Sequence, residues 1–510
     1  MKNSIQPTQH RKENTRGILY NLGLPILMIL LFLSTTNSNG ENINTLNNNI
    51  IDTLYTVKQL KEDFVILHKA LEEGHAGLYR YTPKAEFDEM FEKIKQSLNK
   101  PMSEIEFFLK LDPLIANIHC GHTRMGLSSS TISFINKSPI TIPFSFEFIN
   151  KKTYLLYNYS ELKNLMMGGE VVSIKGNPID SIVQKMLPLI SSDAHIQTFK
   201  YHYLKKANNF SRLYALLYGQ SASFSIIYKS PLSSKEDTLE IKGISKEAMM
   251  KIADERYPEL SVKSQPISKR YENGIPVLEI RTFESIEYEE SNISYVAFLE
   301  ETFREFKENG KKNLIIDLRN NDGGEDENGK ILASYLFDKP FNYYQALEFK
   351  NTSYDFLKYT NISAEEWEGL VKGLKKNSNG WYDFTDYPNI GEQNNSTPYF
   401  NGNVYVLING NSFSTTGELT SIIHFNKKAK FVGEECGAAY YGSNSGIIPL
   451  LTLPNTKIKI SIPLLKYTMA VDNYPKDRGI IPDYPFLTDM KDLVNGKDAE
   501  MEYLLKLISK

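Results

Sequence analysis

Two runs late in the chain, "LIID" at 314–317 and "VYVLI" at 404–408, most narrow the folds open to it. Each is apolar at nearly every position rather than at alternate ones, so both faces of such a strand have to be covered. Helical stretches lie between runs of this kind, which is the pattern of βα units around a largely buried sheet, beginning near "IPVLEIRTF" at 275. Earlier segments carry other periods. "VKQLKEDFVILHKALEE" and "KAEFDEMFEKIKQSL" repeat apolar residues at i, i+3, i+4 and i+7, and "SEIEFFLKLDPLIANI" opens on a Ser103/Glu106 capping box, so residues 54–130 read as a helical domain. From 139 to 243 the short runs "TIPFSFEFI", "TYLLYNY", "GGEVVSIKGNPI" and "ASFSIIYK" read as a β-rich module. With an α/β core over 270–490, the expected class is α+β and multidomain. Residues 340–400, polar, aromatic and poor in periodicity, read as a long excursion of the kind that forms lids or binding elements.

The ends and the charge balance bound the function. Lys2, Arg11, Lys12 and Arg16 precede the apolar "ILYNLGLPILMILLFLS" and then the polar "TTNSNGENINTLNNN", the order of a secretory signal or signal-anchor with its spacer over residues 1–40. This predicts an exported protein of the periplasm, cell envelope or extracellular space, touching a membrane only through that segment if it is left uncleaved. A net charge of −3 leaves no basic footprint, which demotes nucleic acid as a partner. Cys120 and Cys436 are too few for a disulfide scaffold and cannot build a structural zinc site by themselves, so neither metal nor cofactor is expected.

Three stretches carry chemistry. "NSFSTTGEL" at 411–419 places Ser412, Ser414, Thr415 and Thr416 where an apolar strand turns into a helix. Such hydroxyls cap helices, or act as nucleophiles among the oriented N–H donors of a first turn. "IIDLRNNDGGEDENG" sets Gly323 and Gly324 just after a buried strand, where backbone N–H groups can approach a ligand closely, although a tight turn would use the same pair. A calcium loop in that register would need ligands at Leu318 and Gly329, and no G-x-x-x-x-G-K-[ST] phosphate loop exists. The hydrolase elbow G-x-S-x-G is absent too, since "GSNSG" at 442–446 has Asn at its centre. "HCGHTRM" offers His119 and His122, as bases near neutral pH or as interface histidines.

Taken in order, "LIIDLRNNDGG", "VYVLINGNSFSTTGEL", "FVGEECG" and "RGIIPDYP" resemble the catalytic core of the tail-specific, or C-terminal processing, serine peptidases and their tricorn-core relatives. "EGHAGLYRY" to "IHCGHTRMGL" resembles the helical N-terminal part of members that use a histidine, and "GGEVVSIKGNPIDSIV" is similar to the PDZ-like domain inserted in such enzymes. The resemblance implies a ClpP/crotonase-like α/β core with a PDZ-like module at 139–243. It makes Ser414 the nucleophile, with Ser412 as runner-up because Gly417 precedes Glu418 and loosens the register, and Thr415 and Gly323 N–H as oxyanion donors. Tail-specific members place a lysine base in the loop after the "VGE" strand; here that place falls near Ala439, and no lysine lies between Lys430 and Lys457. His122 matches the histidine of the tricorn-like branch, with His119 its competitor. The third member should precede the closing "RGIIPD", where Asp472 and Asp477 both qualify. The resemblance also brings Cys120 and Cys436 near the serine, as a bridge or as two buried thiols.

The expected function is therefore a serine-type peptidase acting on envelope or extracellular polypeptides through an acyl-enzyme. The alternatives are a catalytically silent scaffold that binds peptide ends, and an apolar-ligand binder on the same fold.

Overall fold

The computed structural model describes residues 53–206, 208–233, 235–260 and 264–510, so the signal or anchor expected over 1–40 lies outside the described residues. Among those described, no helix is long and apolar enough to cross a membrane.

The first helices form as their periodicity demands. Helix α1 (Val57–Gly74) starts at a Thr56/Gln59 capping box and buries Leu60, Phe64, Leu67 and Leu71 on one face. Helix α2 (Lys84–Ser97) packs Phe87 and Phe91. Helix α3 (Glu104–Ala116) opens at the Ser103/Glu106 box read from the sequence. Its buried Glu104 accepts hydrogen bonds from the Ser128 and Thr131 hydroxyls, which satisfies a carboxylate that burial would otherwise penalise.

Strands β1 (Phe144–Ile149), β2 (Lys152–Asn158), β3 (Glu170–Ile174), β4 (Ser223–Lys229) and β5 (Glu236–Lys242) pair antiparallel in chain order. Between β3 and β4 the chain is helical: α4 (Ile179–Met186), α5 (Thr198–Lys205) and α6 (Asn209–Tyr218). Periodicity does not announce these helices, because each runs only eight to ten residues, below the window in which a 3.6-residue period becomes visible.

The third part is a six-stranded sheet in the order β6 (Ile267–Glu272), β7 (Ile275–Ile280), β8 (Asn313–Asp317), β9 (Asn403–Ile408), β10 (Ala429–Gly433), β11 (Tyr484–Pro485). Only β6 pairs antiparallel; every other neighbour is parallel. The continuous apolar runs are explained by the two faces. Leu314, Ile316, Val406 and Ile408 enter the main core with α7 (Tyr295–Glu308), α8 (Asp326–Ser334) and α9 (Thr415–Phe425), whereas Val277, Ile315, Leu407 and Val432 meet Met501 and Leu504 of α10 (Ala499–Ile508). Full burial of each such side chain is worth about 1.5–3 kcal/mol.

Residues 340–400 correct the expected excursion. Tyr344–Phe349 pairs with Leu465–Met469 at the centre of a second, five-stranded sheet, and Tyr354, Phe356 and Trp367 are buried. Its periodicity is weak because the strands are short and separated by turns, not because the segment is loose. In a three-stranded sheet Lys459–Ser461 lies between Leu450–Thr452 and Met125–Gly126, fastening the loop before residue 125 to the core.

Candidate active site

Strand β9 ends in a tight turn that is laced to the turn after β8. Asn320 N–H donates to Asn409 Oδ1 and Asn409 Nδ2 donates to Asn320 Oδ1, both at 3.0 Å, while Phe413 N–H donates to Asn321 O at 3.1 Å. Ser412 belongs to this lacing: its hydroxyl donates to Leu318 O (2.8 Å) and accepts from Asn409 N–H (3.0 Å), and it is fully buried. A hydroxyl so engaged holds two turns together and is not poised to attack anything.

Ser414 is different. It sits at φ +56°, ψ −126°, immediately before the first residue of α9, and its hydroxyl makes no helix-capping bond. That backbone conformation costs a non-glycine residue about 1–3 kcal/mol and is held by the surrounding bonds. The Thr415 hydroxyl is fixed to Gly324 O at 2.6 Å, and Thr415 N–H belongs to the first turn of a helix, where donors lack intrahelical acceptors. Gly323, at φ +112°, lies directly against the serine: a Cβ there would meet Ser414 Cβ at 2.7 Å and Thr415 N at 3.1 Å. Its own N–H donates to Asn321 Oδ1 at 3.0 Å, so of the two oxyanion donors expected from the sequence, the Gly323 amide is already occupied.

His122 arrives from the other end of the chain. Ser461 Oγ donates to His122 O at 2.8 Å, Arg124 N–H donates to Ser461 Oγ at 2.9 Å, and Ser461 N–H donates to Arg124 O at 3.0 Å, so strand pairing sets the loop. Gly121 permits the close approach, since a Cβ there would strike the Phe413 ring at 2.6 Å. His122 Nε2 then lies 3.1 Å from Ser414 Oγ, both residues being buried, with the imidazole against the Phe413 ring. Burial, followed by the nearby Arg124 guanidinium, lowers the His122 pKa to about 3, which keeps the ring neutral and able to accept a proton. His119 does not share this site; its ring packs edge-on against His195 and Tyr81. Lys457, Lys459 and Lys466 bond Pro454 O, Ser129 Oγ and Glu348 respectively.

The acids differ from expectation. Asp472 and Asp477 are both exposed; the Asp472 carboxylate accepts from its neighbour Asn473, and Asp477 contributes its carbonyl to His195 N–H. Neither is bonded to His122, because the turn before "RGIIPD" points its charges to the surface. The carboxylate beside the imidazole is Asp193, 2% exposed, which accepts from Gly121 N–H at 2.7 Å and Ala439 N–H at 3.3 Å. An Asp193 oxygen, Cys120 Sγ and a His122 ring nitrogen all lie within 4.8 Å of one another, a donor group compact enough for a shared ion. No pattern announces Asp193, a single acid in "SSDAH". Cys120 and Cys436 are both free, buried thiols.

Beneath the serine, Tyr344 Oη lies 2.6 Å from Glu418 Oε2 and 2.9 Å from Asp326 Oδ2, and Tyr387 Oη donates to the same Asp326 oxygen at 2.6 Å. One tyrosine hydroxyl has one proton to give, so the buried cluster is satisfied when Glu418 carries a proton as well. Burial, then the Asp326 charge, pushes Glu418 up to about 8.

Residues 274–486 match the family model described as Peptidase family S41. Among solved structures, mature CPAF complexed with lactacystin is similar at a TM-score of 0.59 and 15% identity, over 88% of this chain and 97% of that chain. Mature CPAF alone gives 0.57 and 15% over 88% and 96%, and the photosystem II D1 C-terminal processing protease gives 0.39 and 14% over 86% and 98%. No curated protein matches the sequence. At these identities the CPAF likeness speaks for the fold, and the family model speaks for the segment that contains Ser414: the chain carries, over residues 274–486, a domain of Peptidase family S41.

Proposed function

We propose that this chain is a serine-type peptidase in which His122 Nε2 takes the Ser414 proton as Oγ attacks a peptide carbonyl. The tetrahedral oxyanion then forms near Thr415 N–H at the positive end of α9, where donors fixed in advance favour it. As the intermediate collapses, the imidazolium returns its proton to the departing amine, and water completes the cycle through the same base. The observation that carries this reading is the 3.1 Å approach of Nε2 to Oγ between two buried residues 292 positions apart. The substrates are polypeptides, and the basic, apolar and polar order of residues 2–49 supports meeting them on the exported side of a membrane.

A fluorophosphonate that labels activated serines tests the reading. Wild type and Ser412→Ala are expected to label if Ser412→Ala folds, and Ser414→Ala and His122→Ala are expected not to. Lactacystin, which mature CPAF binds, serves as a competing probe. A folded wild type that takes up no label would instead favour a silent peptide-binding protein.

A further inference from the structure

We infer that Cys120, His122 and Asp193 form a site for a borderline-soft divalent cation, Zn²⁺, whose occupation switches the serine off. The three donors are a thiol, an imidazole and a carboxylate, all buried and mutually within 4.8 Å. That mixed S, N, O set suits zinc, whereas magnesium and calcium take oxygen donors. Bonds of 2.0–2.3 Å around tetrahedral zinc bring ligand atoms to about 3.4–3.6 Å from each other, so the loop has roughly 1 Å to close.

A second observation points the same way. His122 Nδ1 is buried without any hydrogen-bond partner, and an orphaned imidazole nitrogen inside a protein is uncommon. Nε2 is held by Ser414, so Nδ1 is the nitrogen left for a ligand. The neighbouring donors are already oriented: Gly121 and Ala439 N–H groups hold the Asp193 carboxylate, whose oxygens keep further lone pairs, and Cys120 lies two residues from the histidine on the same strapped loop.

Binding exchanges the thiol proton for a Zn–S bond and releases that proton to solvent, with water in the fourth position. An imidazole that coordinates through Nδ1 while neutral carries its hydrogen on Nε2. It can then donate to Ser414 Oγ but cannot accept the serine proton, and general-base activation stops. The cation would therefore inhibit from behind the histidine, leaving the substrate face open. This effect on turnover rests on Ser414 and His122 being the reacting pair; the binding itself does not.

The test uses the purified full chain, stripped with chelator and titrated with Co²⁺ as a spectroscopic stand-in and with Zn²⁺. One equivalent of Co²⁺ should bring up a thiolate-to-cobalt absorption band, displaced by Zn²⁺, and lost in Cys120→Ser. Asp193→Asn should weaken cobalt binding by at least tenfold. Thermal melts of both variants establish that they are folded. Zn²⁺ should suppress fluorophosphonate labelling of Ser414 in wild type, reversibly with chelator, and require at least a hundredfold more metal in Cys120→Ser. A cobalt spectrum without the thiolate band, or one unchanged in a folded Cys120→Ser, overturns the site. Zinc suppression at the same concentration in wild type and Cys120→Ser also overturns it, by placing the metal elsewhere. If wild type never labels, the peptidase reading falls while the cobalt titration still decides the site.

Discussion

Replacing Gly323 by alanine tests how tightly the turn after β8 encloses Ser414. The added methyl would stand 2.7 Å from Ser414 Cβ, 3.1 Å from Phe413 O and 3.1 Å from Thr415 N. Ordinary carbon–carbon contact lies near 3.5–4.0 Å, so the serine turn must retreat by about 1 Å or the methyl must displace whatever would rest against Thr415 N–H. Either outcome acts on chemistry. A misplacement of about 1 Å costs on the order of 10²-fold, and loss of an oxyanion donor about 10²–10³-fold. The φ of +112° adds backbone strain, of order 1–3 kcal/mol. The expected result is a folded protein, destabilised by about 1–3 kcal/mol in urea melts, whose kcat for a quenched-fluorescence peptide falls by about 10²–10³. Gly323→Ala turning over within about threefold of wild type would refute the placement of the oxyanion against this turn.

Three further outcomes follow from the packing. Arg319 binds both Asp317 oxygens and reaches Asp498 and Glu500, so Arg319→Met strands buried carboxylates and should cost about 3–5 kcal/mol, read by denaturant melts; a change under about 1 kcal/mol would show the network to be solvated. Leu504→Ala opens the face of the sheet under α10 and should cost about 2–5 kcal/mol in the same assay, with retention of full stability refuting that α10 covers it. For Glu418 the folded pKa of about 8 lies above the unfolded value near 4.5, so between those pH values the folded state holds the extra proton and stability falls as pH rises. Glu418→Gln should flatten the pH dependence of Tm between about 5 and 8; a wild-type slope in that variant would remove the proton from Glu418.

Legibility followed the range of the interactions. The helix at 57, the Ser103/Glu106 capping box and the doubly buried strands are local patterns, and each element formed where its residues demanded. The strand-turn-helix placement of Ser414 was legible for the same reason, since a strand, a turn and a helix start are written in consecutive residues. Its separation from Ser412 was not: both are serines of one turn, and only the bonds to Leu318 and Asn409 distinguish the structural hydroxyl. Asp193 could not be read at all, because its meaning comes from Gly121 and Ala439, far from it in sequence. Asp472 and Asp477 failed for the opposite reason: position along the chain suggested a role that their exposure does not support.

The 292 residues between His122 and Ser414 also impose an order in time. A ribosome adding about 5–20 residues per second delivers the histidine some 15–60 s before the serine, and α10, which covers one face of the sheet, later than either. A product stopped before residue 414 therefore carries the histidine without the hydroxyl that it faces in the finished fold.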